Sequence, residues 1–238
     1  MTEPASATSQ PGRRASGGGP ALSLRGVRRR MGRETVLAGI DLEVAAGRLV
    51  VLRGSNGSGK TTLLRLLATR LRPHAGTASV FGHDLVSEAE AVRGRVGLLS
   101  VTGGSYPVLT GRENLGLTTS LTGKGSDDDA EAALTRVGLA AEADKQVRYY
   151  SSGMKKRLGL ARQLLMDPDL WLLDEPYSAL DEDGKRLVDE CLSEARARGR
   201  TVLLASHEQD RDALTPDAIV ELAGGRLRLV APAGTAPR

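Results

Sequence analysis

Apolar residues fall into short blocks separated by glycine-rich and charged stretches. Leu49-Val50-Val51-Leu52, Leu170-Trp171-Leu172-Leu173 and Val202-Leu203-Leu204-Ala205 are continuous apolar runs of strand length. Such runs are expected where a strand is covered on both faces, as in a parallel sheet. Ile40-Asp41-Leu42-Glu43-Val44 alternates instead, the pattern of a half-buried antiparallel strand. Ala21–Leu24 and Thr35–Leu37 read as two further strands beside it. A helix is expected from about Lys60, with Leu63, Leu64, Leu66 and Leu67 on its apolar side. The stretch between Leu173 and Thr201 reads as a second helix, so the two strands it joins form a βαβ unit.

Residues 103–150 differ in texture. Gly, Ser and Asp are frequent, and Ser126-Asp127-Asp128-Asp129 has the form of a helix start ahead of an alanine-rich segment. A helical insertion over about 103–160 is expected within one domain spanning 21–230. Residues 1–20 are rich in Ala, Ser, Gly, Pro and Thr, a composition that cannot bury enough surface to fold, and they read as a disordered tail. Residues 231–238 read as a flexible tail. Arg13-Arg14 lacks the apolar stretch that an export signal needs after it. No apolar run approaches the roughly 18 residues of a membrane helix, so the chain is not expected to cross a bilayer.

Composition narrows the field. Hydrophobic residues make up 40% of the 238, enough for a sizeable core, but aromatics only 3%. The core must be aliphatic, and the stacking platforms that bind single-stranded nucleic acid are not expected. The formal net charge of +4 is mild and suits ordinary solubility, with phosphate ligands or an anionic membrane surface as alternatives. Arg25, Arg28, Arg29, Arg30 and Arg33 cluster near the first strands and read as a solvated sheet edge, with a membrane-surface role as the alternative. A lone cysteine, Cys191, excludes an internal disulfide and shares a helical stripe with Leu187, Val188, Leu192 and Ala195, so it reads as core. The His, Cys and acidic residues show no metal-ligand spacing.

The sharpest local signal is Gly54-Ser55-Asn56-Gly57-Ser58-Gly59-Lys60-Thr61-Thr62, directly between the first apolar run and the first helix. Its glycines let backbone N–H groups turn inward around a phosphate. The helix that follows aims its positive end at the same anion. Lys60 is suited to neutralise β- and γ-phosphates, and the Thr61 hydroxyl to ligate Mg²⁺. The run 170–173 ends in Asp174-Glu175. Two carboxylates at the end of a buried strand need partners, which a metal and a water supply. Asp174 is suited to hold Mg²⁺ through water, and Glu175 to orient or deprotonate an attacking water. His207 follows the strand 201–205 within reach of a γ-phosphate hydrogen bond; a purely structural strand-end histidine is the alternative.

Taken together, these segments resemble the nucleotide-binding subunit of ABC transporters over about residues 21–228. Tyr150-Ser151-Ser152-Gly153-Met154 is similar to the family signature Leu-Ser-Gly-Gly-Gln, keeping the Ser and the second Gly. Asp174-Glu175-Pro176 matches the acidic strand motif, Ser178-Ala179-Leu180-Asp181 the D-loop and Ser206-His207 the switch histidine, all in family order. The resemblance implies an α/β P-loop NTPase with a mostly parallel core sheet, an antiparallel β-subdomain and a helical subdomain. It implies ATP and Mg²⁺ as ligands, Glu175 and His207 as catalytic residues, and a head-to-tail homodimer or pseudo-dimer. In that dimer, Ser151 and Gly153 of one copy face the ATP held by the other. It also implies a transmembrane permease on separate chains, so that this chain acts peripherally at the cytoplasmic face of the membrane.

Two positions depart from the family pattern. The adenine-stacking aromatic corresponds to Met31, with Arg30 as an alternative stacking group. The Q-loop glutamine corresponds to Val101, which cannot ligate a metal; Thr102 or a water is the expected substitute. Within the family, residues 54–65 and 170–177 look like the ATPases of the cytochrome c maturation heme exporter. Exporters of drugs, lipids or polysaccharides share much of that pattern, and a soluble ABC ATPase without a transport role is a further alternative.

Overall fold

The computed structural model describes residues 19–100, 104–206 and 215–232. The strands are β1 (Leu22–Met31), β2 (Glu34–Val44), β3 (Leu49–Arg53), β4 (Ala75–Val80), β5 (His83–Asp84), β6 (Val96–Leu99), β7 (Leu170–Asp174), β8 (Thr201–Ala205), β9 (Ala218–Ala223) and β10 (Arg226–Pro232). The α-helices are α1 (Lys60–Leu67), α2 (Ala89–Arg93), α3 (Gly111–Thr122), α4 (Asp127–Arg136), α5 (Ser152–Met166) and α6 (Glu182–Ala197).

Two sheets form. One is antiparallel, in the order β2-β1-β4-β5; the other runs β10-β9-β3-β8-β7-β6. In the second, β3 pairs parallel with β8 and β9, and β7 pairs parallel with β8 and β6. The three apolar runs of the sequence are thus interior strands of a parallel sheet, which explains why they carry no polar face.

Strand alternation assigns their side chains to two separate cores. Leu49, Val51, Trp171, Leu173, Val202 and Leu204 join one cluster with α3, α4, α5 and α6. Val50, Leu52, Leu170, Leu172, Leu203 and Ala205 point to the other face, against α1 and the antiparallel sheet. The architecture is therefore three-layered, with the parallel sheet in the middle. The four leucines of α1 are all fully buried, each contributing about 2 kcal/mol of apolar burial.

The antiparallel sheet departs from expectation in two ways. Thr35–Leu37 and Ile40–Val44 belong to one strand, β2, not two. Val27 pairs with Ile40 and Arg28 with Ala38, so Gly39 is an extra residue, at φ 109. That bulge, which a glycine accepts readily, is what separated the two apolar segments in the sequence. Second, only part of the arginine cluster lies on a sheet edge: Arg29 and Arg30 pair with β2 alone, whereas Arg25 and Arg28 do not. From Leu22 to Arg28, β1 is paired with β2 on one side and β4 on the other. Arg25 and Arg28 are exposed on the solvent face of an interior strand.

The insertion carries α3, α4 and the start of α5. Ser126 caps α4 with a reciprocal bond to Asp129, as the Ser-Asp-Asp-Asp pattern anticipated. At the other end, β10 runs to Pro232, two residues past the anticipated boundary.

Candidate functional site

The loop between β3 and α1 is built by three left-handed glycines: Gly54 at φ 152, Gly57 at φ 79 and Gly59 at φ 107. A Cβ on Gly54 would stand 2.5 Å from the Leu222 carbonyl oxygen, so no other residue fits there. Gly59 caps α1 without any side-chain bond, and the first turn of α1 holds no acidic residue. The helix therefore presents unsatisfied N–H groups and an uncompensated positive end to the loop. Ser55, Asn56 and Gly57 are exposed. The Ser58 hydroxyl oxygen is buried with no hydrogen-bond partner among the described residues. Thr62 lies half-buried one position beyond Thr61.

Lys60 curls back over this loop. Its Nζ donates to the Gly54 carbonyl at 2.6 Å and to the Ser55 carbonyl at 3.2 Å, and stands 3.9 Å from Glu175 Oε1. Thr61 Oγ1 donates to Asp174 Oδ2 at 2.8 Å. Parallel pairing explains the meeting. β3 and β7 flank β8 and end on the same edge of the sheet, which is where ligands bind in open α/β folds. Asp174 is only 2% exposed. Burial holds its carboxyl above the usual carboxylate range, against the Thr61 hydrogen bond, which lowers it. A carboxylate and a hydroxyl already in contact at a dry strand end form a hard oxygen donor set, and it fits Mg²⁺.

Glu175 has φ 49, a left-handed conformation unusual for a side chain of its size. Its N–H donates to the Ala205 carbonyl at 2.9 Å, and its own carbonyl accepts from Ser178 N–H at 3.3 Å and Ser178 Oγ at 2.9 Å. Sequence reasoning missed a third donor, Lys156, whose Nζ reaches the same carbonyl at 2.7 Å. Lys156 is 6% exposed, and burial pushes its ammonium below the usual lysine range. A signal existed: Lys156 shares a helical stripe with Leu160 and Gln163, both buried, which is an unusual place for a lysine.

Ser151 caps α5, accepting from Met154 N–H at 3.2 Å. With Gly153 it borders a cleft shared with Arg157, Ala179 and Asp181. The structure thus gathers Gly54–Thr62, Asp174 and Glu175 into one place and puts Ser151 and Gly153 at a separate cleft. Met31 is 46% exposed at the end of β1. His207, Val101 and Thr102 lie outside the described residues. Among the described residues, no helix is long and apolar enough to cross a membrane.

Comparison with known proteins places the chain in a family. Residues 37–178 match the family model described as ABC transporter. A daunorubicin resistance ATP-binding protein of Streptomyces coeruleorubidus is 40% identical over 210 residues, covering 87% of this chain and 66% of that protein. A Nod factor export ATP-binding protein of Ralstonia nicotianae is 35% identical over 213 residues, covering 88% of this chain and 66% of that protein. The chain thus spans 66% of the length of each of these relatives. In structure, a dimeric ATP-binding cassette in a post-hydrolysis state with ADP and Pi superposes with a TM-score of 0.81 at 24% identity, over 90% of this chain and all of that one, and so shares the fold. With more than half of its length matched by the family model, and the fold in agreement, this chain belongs to the ABC transporter family, as an ATP-binding domain.

Proposed function

We propose that this chain binds ATP with Mg²⁺, hydrolyses it within a dimer, and drives a permease on separate membrane-spanning chains from the cytoplasmic face. The observation that carries the reading is the convergence of Lys60, Thr61, Asp174 and Glu175 at the edge of the parallel sheet. The glycine loop and the α1 N-terminus hold the phosphates, and Lys60 exchanges its loop carbonyls for β- and γ-phosphate oxygens. Thr61 and Asp174 would hold Mg²⁺, which would supply charge neutralisation at those phosphates. Glu175 takes the proton of the attacking water, and His207 donates a hydrogen bond to the γ-phosphate. Ser151 and Gly153, at the N-terminal end of α5, meet the γ-phosphate held by a second copy. Dimeric relatives of the same fold support that pairing.

For cargo, the relatives named for daunorubicin resistance and Nod factor export favour export of a sizeable organic molecule. They lend no support to heme export. Met31 packs against adenine as a flexible thioether, which favours weak base selectivity.

Glu175→Gln tests the reading. ATP hydrolysis is expected to stop while an ATP-bound dimer accumulates, visible by light scattering on a sizing column. Wild-type hydrolysis by that variant overturns the assignment of Glu175. For cargo, co-expression with a membrane partner encoded alongside should confer export of an amphipathic drug; restored cytochrome c assembly instead would return the heme reading.

A further inference from the structure

Three contacts join α5 to the segment 175–181. Gly153 faces the Ala179 carbonyl so closely that a Cβ would lie 2.9 Å from it. Lys156 Nζ donates to the Glu175 carbonyl at 2.7 Å. Arg157 Nη2 donates to Asp181 Oδ1 at 3.1 Å. Positions 153, 156 and 157 are spaced i, i+3, i+4, so all three lie on one face of the helix. The loop they touch contains two residues in left-handed backbone, Glu175 at φ 49 and Ala179 at φ 63. Such conformations persist only where the surroundings over-determine them. Lys156 is the one contact of the three that reaches the residue bearing the hydrolytic carboxylate. It sits about 8 Å along the helix from Ser151, close enough that the two move as one rigid body.

We propose that Lys156 is a positioning residue that ties the N-terminal end of α5 to Glu175, so that engagement of Ser151 and Gly153 with nucleotide on a second copy sets the aim of the carboxylate in their own subunit. This rests on the reading of Glu175 as base and of Ser151 and Gly153 as acting across a dimer. By holding the Glu175 carbonyl, Lys156 fixes the peptide plane and therefore the direction of the Cα–Cβ bond. When α5 shifts, the carbonyl follows. The two ATP sites of a dimer are then linked through each subunit's own α5, with no chemistry performed by the lysine. A lysine that merely satisfied a buried carbonyl would contribute stability alone.

The test is steady-state ATP hydrolysis by the full chain. K156M is expected to lower kcat by about 10- to 100-fold, the cost of a misaimed group, while KM for ATP stays within about twofold. K156R, which keeps a cationic donor, should recover part of the loss. In the E175Q background, K156M should leave the yield of ATP-bound dimer unchanged, because binding is untouched. A K156M chain that melts like wild type and keeps its kcat, or whose loss lies wholly in KM, overturns the proposal. If K156M does not fold, K156A, whose vacated space admits water to the carbonyl, takes its place and should show the same split; an unchanged kcat there overturns the proposal equally. The reading beneath it fails separately, through E175Q hydrolysing ATP at the wild-type rate while Lys156 is intact.

Discussion

Thr61 donates a 2.8 Å hydrogen bond to Asp174 across 113 positions of chain. The bond brings the first helix of the phosphate loop to the end of a strand formed much later in the sequence. Neither residue has this partner until β3, β8 and β7 have assembled in parallel.

Asp174 carries a pH signature. Burial raises its carboxyl above the ordinary value, so between the two values the folded chain binds this proton more readily than the unfolded chain does. Stability therefore falls as pH rises through that window, and the cost persists at neutral pH. Asp174→Asn is expected to raise Tm by about 2–4 °C near pH 7, equivalent to about 1 kcal/mol. The gain should vanish in acid, where wild type is protonated in both states. The same variant should lose Mg²⁺-dependent hydrolysis by at least about 100-fold. Thermal melts across a pH series, with a parallel ATPase assay, check both halves.

Lys60 is 6% exposed and makes its hydrogen bonds to loop carbonyls. Lys60→Ala should weaken ATP binding by at least about 10-fold, since a charge-assisted phosphate contact goes with it. Calorimetric titration with ATP reads this directly, and an unchanged Kd refutes the role.

Cys191 is fully buried in α6, and burial pushes its thiol up to about 11. The thiolate that would react is therefore scarce and shielded. A disulfide reagent such as DTNB at pH 8 should leave the native chain unlabelled over hours and label one thiol at once in denaturant. Rapid labelling of the native chain would place Cys191 at an opening surface.

Thr110 caps α3 with a capping box: its Oγ1 accepts from Glu113 N–H at 3.1 Å, and Glu113 Oε2 accepts from Thr110 N–H at 2.8 Å. Thr110→Ala should cost about 1 kcal/mol. Urea denaturation is expected to show a lower midpoint with the slope unchanged.

What the amino-acid sequence determined by itself was local. Gly54 to Thr62 announced a phosphate loop because left-handed backbone and a bare helix start are short-range properties of glycine and its neighbours. The apolar runs announced buried strands, and Ser126 announced a helix start, for similar reasons. Tertiary structure alone decided the rest. It joined Thr35–Leu37 to Ile40–Val44 across the Gly39 bulge, and it placed Arg25 and Arg28 between two paired strands rather than at a sheet edge. It also aimed Lys156 at the Glu175 carbonyl. Strand order and the meeting of side chains on different elements depend on pairings between distant segments, and no local pattern encodes a partner that folding has yet to bring near.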